Sequence, residues 1–170
     1  MTMAIPKKII NFLEKNKVKY EQILHRTVFT AFDKAQTLKV KTNLVGKTLI
    51  LKTDKELVVC LIPANRNLDK NKFKKLINGR RKKVGQKAVK KIEFASERVI
   101  KNKFKGVKVG TIPPFGNLWQ LPTFVDRSLT RQPKIIINGG NYNWSIKISS
   151  AAFKKIISDL TEGSFTKKRK

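Results

Sequence analysis

Two apolar runs separated by four polar residues constrain the fold of this chain more than any other feature. Residues 47–52 (KTLILK) and 57–63 (LVVCLIP) have the length and the β-branched composition of buried strands. The segment between them, Thr53-Asp54-Lys55-Glu56, is a suitable hairpin connection. The pattern therefore predicts a β-hairpin and, with it, a fold that contains a sheet.

Shorter patterns place further strands and helices around this hairpin. Apolar residues at helical spacing, most of them preceded by capping residues, predict helices over 6–16, 31–39, 70–77, 97–103 and 151–160. Apolar runs predict strands over 18–24, 89–94, 107–109, 123–126, 135–137 and 144–148. Strands outnumber helices and short turns join most of them. The expected fold is therefore α+β, with a mixed, largely antiparallel and barrel-like sheet flanked by short helices.

The organisation of the chain indicates one domain. No linker or internal repeat divides the 170 residues, and residues 1–162 are assigned to this domain. The remaining segment, 163–170 (GSFTKKRK), is short and basic and is expected to be disordered. No apolar run approaches the length of a membrane span, and the N-terminus carries charges where a signal peptide would need apolar residues. We therefore expect a cytoplasmic protein.

The charge of the chain indicates a polyanionic partner. Lysine and arginine number 39 against 11 acidic residues, which gives a net charge of +28. A field of this size attracts nucleic acid and, less specifically, an anionic membrane surface. Lysine-rich codon usage or a hot or salty habitat would also explain the composition. Lysine outnumbers arginine, which suits loose phosphate contact better than base recognition.

One stretch concentrates this charge. Residues 79–91 (GRRKKVGQKAVKK) contain no acid. They are either a solvated surface or a phosphate-binding surface for RNA, and the same two alternatives hold for the tail. The candidate RNA-binding residues in this stretch are Arg80, Arg81, Lys82, Lys83, Lys87, Lys90 and Lys91.

The familiar catalytic sets are missing from the sequence. His25 is the only histidine, which excludes a two-histidine metal site, and no cofactor motif is present, so no metal or cofactor is expected. His25 is interpreted as structural rather than as a general base, and Cys60 as a core residue rather than a nucleophile. Asp126 lies in an apolar run and is either a paired structural acid or a member of a site.

A different kind of site is suggested by an uncharged loop, Gly110-Thr111-Ile112-Pro113-Pro114-Phe115-Gly116. It is either a stiff turn or a site made of backbone. Together with Lys47 and with Gly139-Gly140, where another backbone can approach closely, it could hold an activated ester, bind the developing oxyanion and leave water as the nucleophile.

In this order and spacing, the motifs resemble those of the YbaK/prolyl-tRNA-synthetase-associated editing domains. The similarity runs from about Pro6 to Ile148. Thr30-Ala31-Phe32-Asp33-Lys34-Ala35 resembles the T-x-x-x-A helix start of that family, and the segment 46–52 looks like the strand with its key lysine. Gly110–Pro114 matches its GxxxP loop, whereas 124–126 and 138–140 match its late aspartate and its glycine turn.

The resemblance implies a free-standing hydrolase that deacylates mischarged aminoacyl-tRNA, without a cofactor, and removes a small amino acid, as from Cys- or Ala-tRNA(Pro). By this resemblance, Lys47 would contact the terminal phosphate or the ester carbonyl. The carbonyl and a water would be positioned by the loop of Gly110, Thr111, Ile112, Pro113 and Pro114. A ribose hydroxyl of the tRNA would assist the hydrolysis. The implied substrate-binding residues are Thr30, Phe115, Gly116, Asp126, Asn138, Gly139 and Gly140. A second partner would be an aminoacyl-tRNA synthetase. The alternative to a hydrolase is a non-catalytic RNA-binding module on the same scaffold.

Overall fold

A computed structural model describes residues 4–169 of the protein. The helices in this range are α1 (Lys7–Lys15), α2 (Ala31–Leu38), α3 (Lys70–Lys83), α4 (Glu97–Lys103), α5 (Arg127–Thr130) and α6 (Ser150–Ile156). The strands are β1 (Tyr20–Leu24), β2 (Gly46–Thr53), β3 (Leu57–Pro63), β4 (Arg66–Leu68), β5 (Ile92–Phe94), β6 (Thr123–Asp126), β7 (Lys134–Asn138), β8 (Trp144–Ser149), β9 (Leu160–Gly163) and β10 (Thr166–Lys168). Short 3₁₀ turns occupy Thr42–Leu44 and Gly116–Trp119.

The described strands form three sheets. The largest has the order β5-β2-β3-β6-β9, a second has the order β1-β8-β7, and β10 pairs with β4. The β3–β6 and β6–β9 pairs are parallel and the others antiparallel, so the α+β fold with a mixed, largely antiparallel sheet is confirmed. The strands within residues 4–169 do not close into one barrel; a single bridge between Val45 and Ile136 joins the two larger sheets.

The central hairpin forms as expected from its sequence. β2 and β3 pair from Gly46 with Pro63 to Lys52 with Leu57. The turn is held by Thr53, whose hydroxyl accepts the backbone N–H groups of Lys55 and Glu56. Because β3 lies in the middle of the five-stranded sheet, it is almost entirely buried, and this explains its continuous apolar sequence.

Several local predictions differ from the structure, among them the end of helix α3, which lies at Lys83 rather than at residue 77. Residues 107–109 are not a strand, because Gly106 and Gly110 on either side adopt left-handed φ angles of 91° and 83° and turn the chain. The last helix ends at Ile156 rather than at residue 160. The amide of Asn117 donates to the carbonyl of Ile156 at 3.1 Å and accepts from the N–H of Ser158 at 3.2 Å, so it closes the helix before β9 begins.

The structure also corrects the expected disorder of the tail. Residues 166–168 pair with Arg66–Leu68 as an antiparallel strand, and Phe165 is fully buried against Phe73 at a ring-centroid distance of 5.3 Å. The buried carboxylate of Asp126 accepts the N–H of Phe165 at 2.8 Å and the hydroxyl of Thr166 at 3.0 Å. Burial of the Phe165 side chain and the hydrogen bonds to Asp126 stabilise the tail strand by more than repulsion among its lysines destabilises it.

Two further properties bear on function. Cys60 is completely buried in the core beneath α3, and burial raises the pKa of its thiol, which fits a core residue and not a nucleophile. None of the helices in residues 4–169 has the length and apolar character that a membrane-spanning helix requires.

Candidate active site

A cavity of about 240 Å³ lies where α2, the first residues of β2, the loop after residue 109 and the turn after β7 meet. Its wall combines apolar side chains with amides, hydroxyls and amines, and it contains no acidic residue. The lining residues are Val28, Phe29, Thr30, Ala31, Lys34, Lys47, Thr48, Leu49, Gly110, Thr111, Asn138, Asn141 and Tyr142.

The start of α2 forms one wall of the cavity and places a lysine inside it. Thr30 caps the helix, because its hydroxyl accepts the backbone N–H of Asp33 at 3.0 Å. One turn later, the side chain of Lys34 is 5% exposed and its amine donates to Oδ1 of Asn138 at 2.8 Å. Burial lowers the pKa of Lys34 from its usual 10.5 to about 8.

Sequence analysis did not assign a role to Lys34. Residues 30–35 were compared only with a family's helix start, although Ala31, Ala35 and Leu38 recur at helical spacing and so share one face. A lysine three residues after Ala31 lies on that same face, since residues at this spacing are neighbours on a helix. This helical spacing was the only signal in the sequence that could have identified Lys34.

Asn138 joins this lysine to the uncharged loop. Its Nδ2 donates to the carbonyl of Ile112 at 3.2 Å and to that of Gly110 at 3.4 Å, whereas its Oδ1 accepts from Lys34. The side chain is 9% exposed, so all of these bonds lie in a largely desolvated environment. Helix α2, strand β7 and the loop are therefore held together at one amide.

Further bonds fix the beginning of the loop against the turn after β7. The N–H of Gly140 donates to the carbonyl of Thr111 at 3.0 Å, and the hydroxyl of Tyr142 donates to the carbonyl of Val109 at 2.6 Å. Gly110 adopts a φ of 83°, which a residue with a side chain rarely adopts. The structure thus brings Gly110, Thr111 and Asn138 together in the cavity wall.

The rest of the loop points away from the cavity. Ile112, Pro113, Pro114, Phe115 and Gly116 are buried and are not among the lining residues. The ring of Phe115 packs against that of Phe12 at 5.1 Å. A Cβ on Gly116 would lie 2.3 Å from the carbonyl oxygen of Leu121, so only glycine fits there. These residues support the loop from behind.

Lys47 lines the same cavity from the second residue pair of β2 and stays partly exposed. Burial and, secondarily, the positive charge of Arg169 lower the pKa of its amine. Arg169 follows β10, donates to the carbonyl of Ala64 at 3.2 Å and lies over the ring of Phe32 at 5.9 Å. The ordered tail therefore adds a cation next to Lys47.

Three other candidate substrate-binding residues do not line the cavity. Asp126 holds the tail, as described above, and also caps α5 through Ser128. Gly139 and Gly140 allow close packing instead: a Cβ on Gly139 would lie 2.9 Å from the carbonyl oxygen of Trp144, and one on Gly140 would lie 2.9 Å from the Pro6 ring. In the structure these three residues stabilise the fold and do not line the cavity.

The basic stretch 79–91 lies away from the cavity. Its backbone is attached to the hairpin turn, because the N–H groups of Lys90 and Lys91 donate to Oδ1 of Asp54 at 2.8 and 3.3 Å. The six residues of β2 between this turn and Lys47 correspond to about 20 Å at roughly 3.3 Å per residue. The structure thus separates the candidate tRNA-binding residues from the cavity.

Within this stretch, the two arginines are engaged. Arg80 donates to both carboxylate oxygens of Asp159 at 2.8 and 2.7 Å. Arg81 is 7% exposed, donates to the carbonyl of Lys87 at 2.5 Å and pairs with Glu56 at 3.3 Å. The exposed basic side chains are those of Lys82, Lys83, Lys87, Lys90 and Lys91.

Both ring nitrogens of His25 have hydrogen-bond partners within the protein. Its Nδ1 lies 2.8 Å from the carbonyl of Arg26, to which it donates, and its Nε2 lies 2.9 Å from the hydroxyl of Ser145. Burial lowers the pKa of the imidazole. Across residues 4–169, no group of three or more acidic, histidine or cysteine side chains is arranged to hold a metal ion.

Together, the structural features define a small α+β domain with a cavity lined by apolar, amine, amide, hydroxyl and backbone groups. Residues 25–156 match the aminoacyl-tRNA editing domain family, and the chain belongs to this family. Its fold is similar to that of the hypothetical protein APE2540, with a TM-score of 0.77 at 18% identity, over 94% of this chain and 99% of that one. It is also similar to a proposed trans-editing enzyme for prolyl tRNA synthetase, with a TM-score of 0.75 at 18% identity, over 98% of this chain and 99% of that one.

Proposed function

We propose that the protein is a trans-acting aminoacyl-tRNA deacylase, which hydrolyses the ester bond of mischarged tRNA. The observation that carries the proposal is the cavity itself: two lysines and no carboxylate, set against the Gly110–Thr111 backbone that Asn138 holds in place. Such a site attracts an electron-rich ester on a polyanionic carrier. Membership of the editing family supports the same chemistry.

The reaction needs little from the protein because the ester is already activated. A water molecule attacks the acyl carbon, the bond from that carbon to the ribose oxygen breaks, and the amino acid leaves as a carboxylate. One proton of the water goes to the ribose oxygen and the other to solvent, with the neighbouring ribose hydroxyl as the relay. Positioning and electrostatic stabilisation by the cavity supply the rate enhancement.

The cavity has room for a small acyl group. At about 240 Å³, with Val28, Ala31 and Leu49 in its wall, it fits a small amino acid such as alanine or cysteine, and tRNA(Pro) is the first carrier to test. An apolar wall discriminates by size at about 1–3 kcal/mol per methylene. A larger aminoacyl group should be disfavoured only where an added methylene meets this wall, by roughly tenfold or more for each.

The experiment that tests this function is a deacylation assay on a panel of mischarged tRNAs that carry small amino acids. We expect release of at least one small amino acid faster than in the absence of protein, with correctly charged prolyl-tRNA(Pro) spared. Tight binding to the tRNAs with no hydrolysis across the panel would favour the non-catalytic RNA-binding module instead.

The exposed lysines next to the hairpin turn are expected to hold the tRNA backbone. Replacing Lys82, Lys83 and Lys87 together by serine should weaken tRNA binding and lower the slope of log Kd against log salt by about 2–3, because each phosphate contact releases roughly 0.7–0.9 counterions. Filter binding at several salt concentrations measures this slope. The matched control replaces the exposed Lys15, Lys17 and Lys19. Equal losses in both triple variants would show that net charge, not this surface, binds the tRNA.

A further inference from the structure

Lys34 is a buried cation to which the described protein offers no anion. Its side chain is 5% exposed, and its one hydrogen bond goes to the neutral amide of Asn138. The ion pairs within residues 4–169 all involve other cations, namely Lys55, Arg80, Arg81, Lys101 and Lys154. A buried charge without a counterion is costly, so its presence in a cavity wall indicates that the ligand supplies the negative charge.

The residues around Lys34 in the cavity wall do not balance its charge. The charged or titratable groups that face it are His25, whose pKa is lowered by burial and, in smaller part, by Lys34, and Lys47 across the cavity. Asp33 on the same helix is exposed and does not line the cavity. Lys34 thus shares the cavity wall with a second lysine and with no carboxylate.

A second observation points to a ligand in the same place. The hydroxyl of Thr48, also in the cavity wall, is buried and has no hydrogen-bond partner in residues 4–169. A buried polar atom of this kind is normally satisfied by protein or solvent. Lys34 and Thr48 therefore both have unused hydrogen-bonding capacity on the wall of one cavity.

The position of the amine identifies which ligand atom it meets. Asn138 binds the Lys34 amine through Oδ1 and the carbonyls of Gly110 and Ile112 through Nδ2, so the amine lies one side chain away from the loop. The loop is where the proposed function places the ester. Lys47, by contrast, is partly exposed and lies next to Arg169, which suits a phosphate.

Resting on that proposed function, we infer that Lys34 is a catalytic residue that binds the acyl oxygen of the aminoacyl ester. In the ester this oxygen is the carbonyl oxygen, in the tetrahedral intermediate it carries the negative charge, and in the released amino acid it is one oxygen of the carboxylate. The Lys34 ammonium donates a hydrogen bond to it at each stage and keeps its own proton. An ammonium in a desolvated site stabilises such a charge much better than water does.

The first test is binding, which does not depend on catalysis. Free L-alanine, L-serine and L-cysteine are titrated into the protein and followed by NMR, with the corresponding amino-acid amides as the matched ligands that lack a carboxylate. We expect a free acid of this panel to bind at least tenfold more tightly than its amide, and the preference to disappear in Lys34→Met. Binding should weaken as the pH rises through about 8, the pKa of Lys34, because the amine loses its charge there.

The second test is turnover. Lys34→Met should lower the single-turnover deacylation rate by about 10²-fold, as loss of one oxyanion donor does elsewhere, and should remove the fall in rate above pH 8 that the wild type is expected to show. Lys41→Met, at an exposed position after the same helix, is the control and should be unaffected.

Folding of the variant is checked in the same experiments. The pKa of Lys34 is lower in the folded than in the unfolded protein, so the unfolded chain binds the extra proton and stability rises with pH above about 8. Lys34→Met should lack this rise and should melt no lower than the wild type at pH 7.

The outcomes separate this inference from the proposed function. Carboxylate binding that needs Lys34, without deacylation of any tRNA, would support the site and overturn the deacylase. Deacylation that continues at the wild-type rate in a folded Lys34→Met variant would overturn the role of Lys34 and leave the deacylase standing. Loss of activity only towards substrates with a polar side chain would also overturn it, since Lys34 would then bind the side chain.

Discussion

Replacing Lys47 by alanine is expected to lower the deacylation rate by at least about tenfold. The amine lies in the cavity wall, on the side where Arg169 adds a second positive charge, and it is placed there by the first residue pairs of the β2–β3 hairpin. Removing it takes away one charge that faces the phosphate or the ester of the substrate. Single-turnover hydrolysis of the mischarged tRNA that the panel identifies measures the effect.

The control for this variant lies on the same strand. Lys52 belongs to β2 as Lys47 does, but it is exposed, pairs with Leu57 next to the hairpin turn and does not line the cavity. Lys52→Ala should leave the rate within about twofold of the wild type, in line with the small effects of exposed substitutions. A Lys47→Ala variant that turns over at the wild-type rate would remove Lys47 from the site.

Replacing Asp126 by alanine is expected to lower the free energy of unfolding by about 3 kcal/mol. The side chain is 2% exposed, and its carboxylate accepts hydrogen bonds from the N–H of Phe165, the hydroxyl of Thr166 and both the N–H and the hydroxyl of Ser128. Alanine would leave these donors buried and unpaired and would free the tail strand. Urea unfolding followed by circular dichroism measures the change.

Asp159→Ala is the matched control for the stability measurement. Asp159 is also paired, with Arg80 at 2.7 Å, but its side chain is 50% exposed. Exposed ion pairs contribute between about 0 and 1 kcal/mol, so Asp159→Ala should lower the free energy of unfolding by less than about 1 kcal/mol. If both variants lose the same amount, the buried carboxylate does not hold the tail in the way that the structure describes.

The parts of the fold that depend on neighbouring residues were predictable from sequence. The β2–β3 hairpin, helix α4 at 97–103 and strand β6 at 123–126 form where the apolar patterns and the capping residues place them. Four of the candidate site residues named from the sequence line one cavity in the structure: Lys47, Gly110, Thr111 and Asn138. In each of these cases a local pattern, or the order of the motifs, carried the information.

What the sequence did not reveal depends on contacts between distant residues. Lys34 and Asn138 are 104 positions apart, and only the structure shows that their side chains meet. The order of the tail depends likewise on Asp126, some 40 residues earlier in the chain. Arg80 and Arg81 look like free phosphate ligands in the sequence because Asp159 and Glu56 are far from them along the chain.

The amide of Asn138 has a consequence for how the cavity is tuned. Aspartate has nearly the same shape as asparagine, but at this position it would neutralise Lys34 and would direct an oxygen at the carbonyls of Gly110 and Ile112, which accept hydrogen bonds there. The exchange of one nitrogen atom for oxygen would thus supply from within the chain the anion that the cavity now lacks. Because Asn138 is neutral and aspartate is not, the positive charge of Lys34 stays available to a negatively charged ligand.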